Sequence, residues 1–305
     1  MEKLEYKKQN IVICTTSFNQ PNIDKKLLRK KNLTLKFNPY RRKLLENELM
    51  NLIDKQTVGI ISGTETITEK VLEKAKNLKV ISRCGAGIDN IKFNIRKNKI
   101  KVLTTKNIHA LAVAEYTLMQ ILSALKKNID NNNNLKNGIW KKINGRNLSK
   151  KIIGLIGYGN VGKKLKKLLS PFDCKFNIYD PKIKRYSGRT RLNVLLKKSD
   201  IITIHIPFSK KNVNFIGAKE LTKLKKDSIL INSSRGGIIN EIALEKKLKI
   251  NSNFTAILDC FDNEPYKGKL LKYKNIILSP HIASFTNETR NLMEKISLKN
   301  CIENI

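Results

Sequence analysis

Four stretches of this chain carry side chains suited to proton and anion chemistry, and each follows a short apolar run. Ser279-Pro280-His281-Ile282-Ala283-Ser284 presents one of only three histidines. An imidazole exchanges a proton near neutral pH, as a reaction at an alcohol or carbonyl requires. Asp259-Cys260-Phe261-Asp262-Asn263-Glu264-Pro265 supplies carboxylates, and a carboxylate beside the ring would orient it and favour its charged form. Ile231-Asn232-Ser233-Ser234-Arg235-Gly236-Gly237 offers a guanidinium whose planar fork matches a carboxylate. Ser82 to Asn90 holds Gly85, Ala86 and Gly87, a small-residue loop whose backbone N–H groups could form an anion nest. Each has a plainer reading: a structural histidine, a surface ion pair, an ordinary turn. Their shared place after apolar runs favours a site, because ligands of open α/β sheets bind at the carboxyl ends of strands.

A fifth stretch, KIIGLIGYGNVGKK at 151–164, has the pattern of a phosphate cradle. The apolar run Ile152–Ile156 reads as a buried parallel strand. It enters Gly157-Tyr158-Gly159-Asn160-Val161-Gly162, then a helical pattern with Val161, Leu165, Leu168 and Leu169 on one face. Gly157 permits the tight turn, Gly159 lets backbone approach a pyrophosphate, and Gly162 lets helix and strand pack closely. The helix start adds free N–H groups and partial positive charge. A second strand, Lys175–Tyr179, ends in Asp180, placed to accept from the ribose hydroxyls and to repel a 2′-phosphate. The stretch therefore predicts a dinucleotide site that prefers NAD.

The elements that must position these residues alternate along the chain. Strands are expected at Ile11–Thr15, Leu33–Phe37, Val58–Ser62, Val80–Arg83 and Lys101–Thr104. Helices are expected at Asp24–Lys30, Leu44–Asp54, Glu69–Lys76 and Lys92–Lys97, with Asp24 and Thr68 as N-caps. A long helix, about His109 to Asn128, precedes Asp130–Asn134, whose composition predicts a solvated loop. A short element, Leu135–Trp140, leads to the nucleotide strand. Past Asp180 the alternation resumes with helix Leu192–Lys197, strand Ile201–Ile206, helix Lys219–Leu224 and strand Ile229–Asn232. Helix Ile242–Lys249, strands Thr255–Asp259 and Ile276–Ser279, and a final helix, Glu288–Asn300, complete it. Such alternation means an α/β protein with parallel sheets, in two doubly wound domains. Periodicity does not say where the final helix packs.

With 305 residues, 40 % of them hydrophobic, the chain is long enough for two such cores. No apolar run approaches the ~18–20 residues that span a bilayer. The N-terminal MEKLEYKKQN is too polar and acidic for a signal peptide. Five cysteines scattered singly suggest neither a disulfide framework nor a metal site, so a reduced, cytoplasmic setting is expected. The formal charge of +36 has two readings, a basic surface for nucleic acid or anionic membrane and a bias of composition. Lysines spread along the whole chain, with no arginine stripe, favour the second. Such charge would still speed the arrival of small anions.

Taken together, GLIGYGNVGKKL with Asp180, HIPFS at 205–209, INSSRGGIINEIAL at 231–244, ILDCFDNEP at 257–265 and SPHIASFT at 279–286 resemble the D-isomer-specific 2-hydroxyacid dehydrogenase family. The resemblance spans nearly the whole chain. It implies a catalytic set of Arg235 as substrate anchor, Glu264 as imidazole partner and His281 as acid/base. It implies pyrophosphate contacts from Asn160 and Val161, and a nicotinamide surrounded by Pro207, Ser233, Ser234, Arg235, Asp259, His281 and Ser284. The implied fold is a flavodoxin-like substrate domain, residues 1–105 plus 287–305. A Rossmann NAD domain, 106–286, is inserted in it, and the site lies in the cleft between. A homodimer is implied as well.

Within that family, NPYRRKLLENEL, SGTETIT and SRCGAGIDNI are most similar to D-3-phosphoglycerate dehydrogenases. Several members of that group carry a phosphate-binding Arg after the third strand, where this chain has Ser62. Arg41 and Arg42, at the start of a helix where cations are unfavourable, are candidates to replace it. The resemblance thus implies NAD-dependent chemistry on a 2-hydroxy/2-oxo acid pair, with 3-phosphoglycerate first and a glyoxylate/hydroxypyruvate-type reductase as alternative. An NAD-sensing corepressor-like scaffold is a third reading. No metal is called for. Feedback control of the kind added by C-terminal extensions is expected to be absent.

Overall fold

A computed structural model of the protein describes residues 8–16, 18, 23, 25–95, 97–183 and 186–305. The chain folds as two compact units, Met1–His109 with Thr286–Ile305, and Ala110–Phe285. The first unit runs β1 (Gln9–Ile13), α1 (Lys25–Lys30), β2 (Leu33–Phe37), α2 (Glu46–Leu52), β3 (Thr57–Ser62) and β4 (Ile67–Thr68). It continues with α3 (Glu69–Lys74), β5 (Val80–Arg83), β6 (Ile91–Lys92) and β7 (Lys101–Thr104). Five strands make one parallel sheet in the order β2-β1-β3-β5-β7. Side chains alternate across a strand, so Ile11 and Ile13 of β1 face one core and Val12 the other. Helices α2 and α3 cover the Val12 face through Leu49 and Val71.

The second unit runs α4 (Ala110–Leu125), α5 (Asn128–Lys136), β8 (Ile152–Ile156), α6 (Asn160–Leu169) and β9 (Lys175–Tyr179). It continues with α7 (Leu192–Lys198), β10 (Ile201–Ile204), α8 (Ala218–Leu221), β11 (Ile229–Asn232), α9 (Glu241–Ile250), β12 (Thr255–Leu258) and β13 (Ile276–Leu278). Its six strands are parallel in the order β13-β12-β11-β10-β8-β9. Strands β10, β11 and β12 are buried along their whole length, which explains why they read as unbroken apolar runs.

The last helix, α10 (Asn287–Glu303), belongs to the first unit, and it covers the Ile11 and Ile13 face. Leu298, Cys301 and Ile302 recur at helical spacing and join Met293 in that core. Thr286 caps its start by accepting from the Thr289 N–H at 3.3 Å. At its other end the Lys31 ammonium donates to the Ile302 carbonyl at 2.8 Å.

Three local expectations need correction. Asp130–Asn134 is helical, within α5, although that helix buries no side chain. Its support is non-local: Asn131 donates through Nδ2 to the Ile143 carbonyl at 3.1 Å and accepts the Ile143 N–H at 2.9 Å. The described residues of Lys92–Lys97 are not helical. Ile91–Lys92 pairs with Ile67–Thr68, and the Asn94 carboxamide then accepts the Lys97 N–H, a turn bond that competes with helix. Thr68 does precede α3, but its hydroxyl donates to Glu46 instead of capping. Asp24 lies outside the described residues. Among the described residues no helix is long and apolar enough to cross a membrane.

Leu298, 2 % exposed, anchors α10 to its sheet. Leu298→Ala should therefore lower unfolding free energy by about 2–5 kcal/mol, measured by urea titration.

Candidate active site

The nucleotide motif lies at the switch point of the second sheet, where β8 has β9 on one side and β10 on the other. Gly157 follows β8 with φ +96°, and a Cβ there would meet the His205 carbonyl oxygen at 2.6 Å. A Cβ on Gly162 would stand 2.4 Å from the Gly157 carbonyl oxygen, so helix and turn close only around glycine. A Cβ on Gly159 would meet no described residue beyond its chain neighbours within 4 Å, which leaves an open approach at the start of α6. Asn160 is exposed beside it, and Val161 is half-buried.

Asp180, directly after β9, accepts the Tyr158 N–H at 2.8 Å and the Lys182 N–H at 2.9 Å. Each oxygen keeps a lone pair for a ribose hydroxyl. Ser233 is 9 % exposed, and among the described residues its hydroxyl has no partner. An orphaned buried hydroxyl calls for a partner from outside the chain. The open glycine turn, the acid at the next strand end and this hydroxyl fit a dinucleotide. Burial pushes His205, with its Nε2 2.9 Å from the Thr203 hydroxyl, down to about 4. It is therefore neutral near pH 7. Pro207, exposed just beyond, has its carbonyl held by Asn212 at 2.8 Å.

Beyond β10 in the same sheet, the loops after β11, β12 and β13 bring the other candidates together. His281 Nδ1 lies 3.0 Å from both oxygens of Glu264. The Phe261 N–H donates to the same carboxylate at 3.1 Å, so the acid is fixed in turn. With Nδ1 facing the carboxylate, Nε2 is the ring nitrogen left for a reacting oxygen. Arg235 follows β11, its Nη1 donating to the Ser234 carbonyl at 2.7 Å. Two glycines bind its loop to the loop of Glu264. A Cβ on Gly236 would come within 1.9 Å of the Phe261 carbonyl oxygen, and the Gly237 N–H donates to Asp262 at 2.5 Å.

Asp259, 1 % exposed, holds the histidine loop. Its carboxylate accepts from the Ser279 hydroxyl at 2.6 Å and from the N–H groups of Ile282 and Ala283 at 2.8 Å each. His281 sits inside that loop with φ +55°, an uncommon conformation for a residue with a Cβ, and Ser284 follows it half-buried. Sequence reasoning missed Tyr116 and Gln120 of α4, which join this network from the side. Tyr116 reads as one more apolar member of the helix face. The i, i+4 spacing of a hydroxyl and a carboxamide was the available signal.

The first unit carries the remaining candidates. Gly85, with φ +152°, donates to the Arg83 carbonyl at 2.8 Å, and Ala86 and Gly87 follow half-buried. Arg41 is exposed with φ +52°. Arg42 is not a free anion ligand: its guanidinium meets both oxygens of Glu48, at 2.8 and 2.5 Å, and stacks on Tyr40. Glu48 also accepts the Leu45 N–H at 2.9 Å, so the cation supports half of a capping box. That resolves the odd placement of cations at this helix start. Among the described residues no cluster of His, Cys, Asp or Glu could hold a metal ion.

Fold and motif together define a nicotinamide-nucleotide oxidoreductase. The family profile described as "D-isomer specific 2-hydroxyacid dehydrogenase, NAD binding domain" matches residues 118–283. Hydroxypyruvate reductase of Thermotoga maritima is 34 % identical over 268 residues, covering 83 % of this chain and 88 % of that protein. D-3-phosphoglycerate dehydrogenase of Methanocaldococcus jannaschii is also 34 % identical, over 81 % of this chain but only 49 % of its own length. D-lactate dehydrogenase from Aquifex aeolicus, solved with NAD and lactic acid, superposes with a TM-score of 0.82 at 25 % identity, covering 95 % and 93 % of the two chains. The chain belongs to the D-isomer specific 2-hydroxyacid dehydrogenase family and uses NAD.

Asp180→Ala should narrow the preference for NAD over NADP at least roughly tenfold, the worth of about 1.4 kcal/mol. The ratio of kcat/KM for the two cofactors measures it, and an unchanged ratio would remove Asp180 from cofactor selection.

Proposed function

We propose that this enzyme interconverts a short, unphosphorylated 2-oxo acid and its D-2-hydroxy acid, in the manner of a glyoxylate/hydroxypyruvate reductase. The observation that carries the reading is the His281–Glu264 pair on the loops beside Arg235. Bound NAD supplies the hydride acceptor or donor. His281 Nε2 takes the proton of the hydroxyl during oxidation and returns it to the carbonyl oxygen during reduction. Glu264 holds the ring in place through Nδ1. Arg235 anchors the substrate carboxylate with its planar fork.

Support for an unphosphorylated substrate comes from the first unit. Ser62 stands where several members of the phosphoglycerate group carry arginine, and Arg42 is already engaged by Glu48. A chain carboxylate, Glu65, 2 % exposed, occupies the Gly63 N–H at 2.7 Å after β3, a donor that an anion would otherwise take. The competing phosphoglycerate reading rests on NPYRRKLLENEL and on the relatives with that name. A panel of glyoxylate, hydroxypyruvate and phosphohydroxypyruvate, followed by NADH absorbance, separates the two. Glyoxylate or hydroxypyruvate should give the higher kcat/KM, and dominance by phosphohydroxypyruvate would reverse the assignment. His281→Ala should cut kcat roughly 10²–10⁴-fold with NADH binding retained.

A homodimer in a reduced, cytoplasmic setting completes the reading, and five free cysteines fit the setting. Leu111 and Met119 of α4 and Leu135, Ile139 and Trp140 beyond it are exposed, Trp140 by 83 %. So much large apolar surface is typical of a covered face. Trp140→Ser should move the protein from dimer to monomer in light scattering, while a monomeric parent protein would rule the dimer out.

A further inference from the structure

Tyr116 lies on α4, far in sequence from the catalytic loops, yet its hydroxyl hydrogen-bonds to Ser279, two residues before His281. The network around it has only one consistent direction. A carboxylate can only accept, so the single proton of Ser279 goes to Asp259 at 2.6 Å. Ser279 then must accept from Tyr116. The Tyr116 oxygen in turn accepts from Gln120 Nε2 at 2.7 Å. Three donors thus line up from helix to buried charge, an arrangement in which each bond polarises the next. Burial raises the Tyr116 pKa, which keeps the phenol protonated and able to donate.

The same Asp259 oxygen that takes the Ser279 proton takes the Ile282 N–H at 2.8 Å, and the other oxygen takes the Ala283 N–H at 2.8 Å. His281, at φ +55°, is therefore bracketed by residues tied to one carboxylate. A residue keeps such a backbone conformation only where its surroundings over-determine it. Along this network, Gln120 and Tyr116 are the part that comes from a different element of the fold.

We propose that Tyr116, oriented by Gln120, is a positioning residue for the reaction: it sets the Ser279–Ala283 loop, and with it the direction of the His281 ring. The proposal rests on His281 being the proton-transfer group. It assigns Tyr116 no contact with substrate or NAD. Loss of its hydroxyl should lower the rate of the chemical step and leave cofactor binding alone.

The test compares Tyr116→Phe, Ser279→Ala, the double variant and Ser279→Thr, each with NADH and the best 2-oxo acid. Tyr116→Phe and Ser279→Ala should each lower kcat roughly 5–30-fold, the loss expected from about 1–2 kcal/mol. NADH dissociation constants, read by fluorescence, should stay within about twofold, since the proposal places neither side chain on the cofactor. The double variant should be no worse than the poorer single one, because both changes break one network. Ser279→Thr, which keeps the hydroxyl, should restore activity. With NADH deuterated at C4, the isotope effect on kcat should rise in Tyr116→Phe, a readout that loss of folded protein would not move. Unchanged kcat in Tyr116→Phe, losses that multiply in the double variant, or an unchanged isotope effect would each overturn the proposal. Full activity of His281→Ala would instead refute the underlying reading, so the two failures are distinct.

Discussion

A carboxylate that is 1 % exposed is the constraint on which the shape of the His281 loop depends. Removing a charge from water is costly unless donors replace the water, and Asp259 obtains them from Ser279, Ile282 and Ala283. The need is mutual. The carboxylate requires those donors in one place, and the loop acquires a single shape by supplying them. Because that loop carries His281, a requirement of solvation becomes a requirement on the geometry of the His281–Glu264 pair. Glu264 works in the same way one turn of chain later, held by the Phe261 N–H while it holds the imidazole. Acids fixed by backbone N–H groups recur through the second unit, as Asp180 on Tyr158 and Asp262 on Gly237 show.

What the sequence revealed and what it hid follow one physical line. Val80–Arg83 and Ile229–Asn232 were legible to the residue because a parallel strand is apolar where the sheet is covered. The edge strands Leu33–Phe37 and Lys101–Thr104 were legible because apolar residues recur in each between helical stretches. The Gly157–Gly162 motif was legible because Gly157 and Gly162 answer steric demands that the strand and helix impose locally. The helix at Asp130–Asn134 was hidden, since its support is Asn131 reaching Ile143, a contact that helix propensity cannot register. The pairing of Arg42 with Glu48 was hidden because that partner is recognised only once the chain turns. Tyr116 has an aromatic ring that suits an apolar helix face, and its hydroxyl bonds a residue 163 positions away.

Charge shows the same division between composition and placement. A formal +36 describes a surface rich in lysine. Several of those lysines cap carbonyls, as Lys31 does at Ile302 and Lys79 at Ile305. Others pair with carboxylates, Lys36 with Asp54 and Lys225 with Asp200, and both acids are held below the usual carboxylate range. At Asp54, where burial works the other way, the donors Lys36, Asn10 and Gln56 prevail and bring the pKa to about 2. Positive charge in this protein is partly structural mortar.

The return of α10 to the first unit has a consequence for biosynthesis. When Lys101–Thr104 leaves the ribosome, the sheet face formed by Ile11, Ile13 and Val58 still lacks Met293, Leu298, Cys301 and Ile302. All of Ala110–Phe285 must be translated first, which at about 5–20 residues per second takes roughly 10–35 s. The inserted unit has no such debt to later sequence and can condense as soon as it emerges. At the end of that interval the nascent chain carries one finished lobe and one open apolar sheet, the species on which a holdase would act.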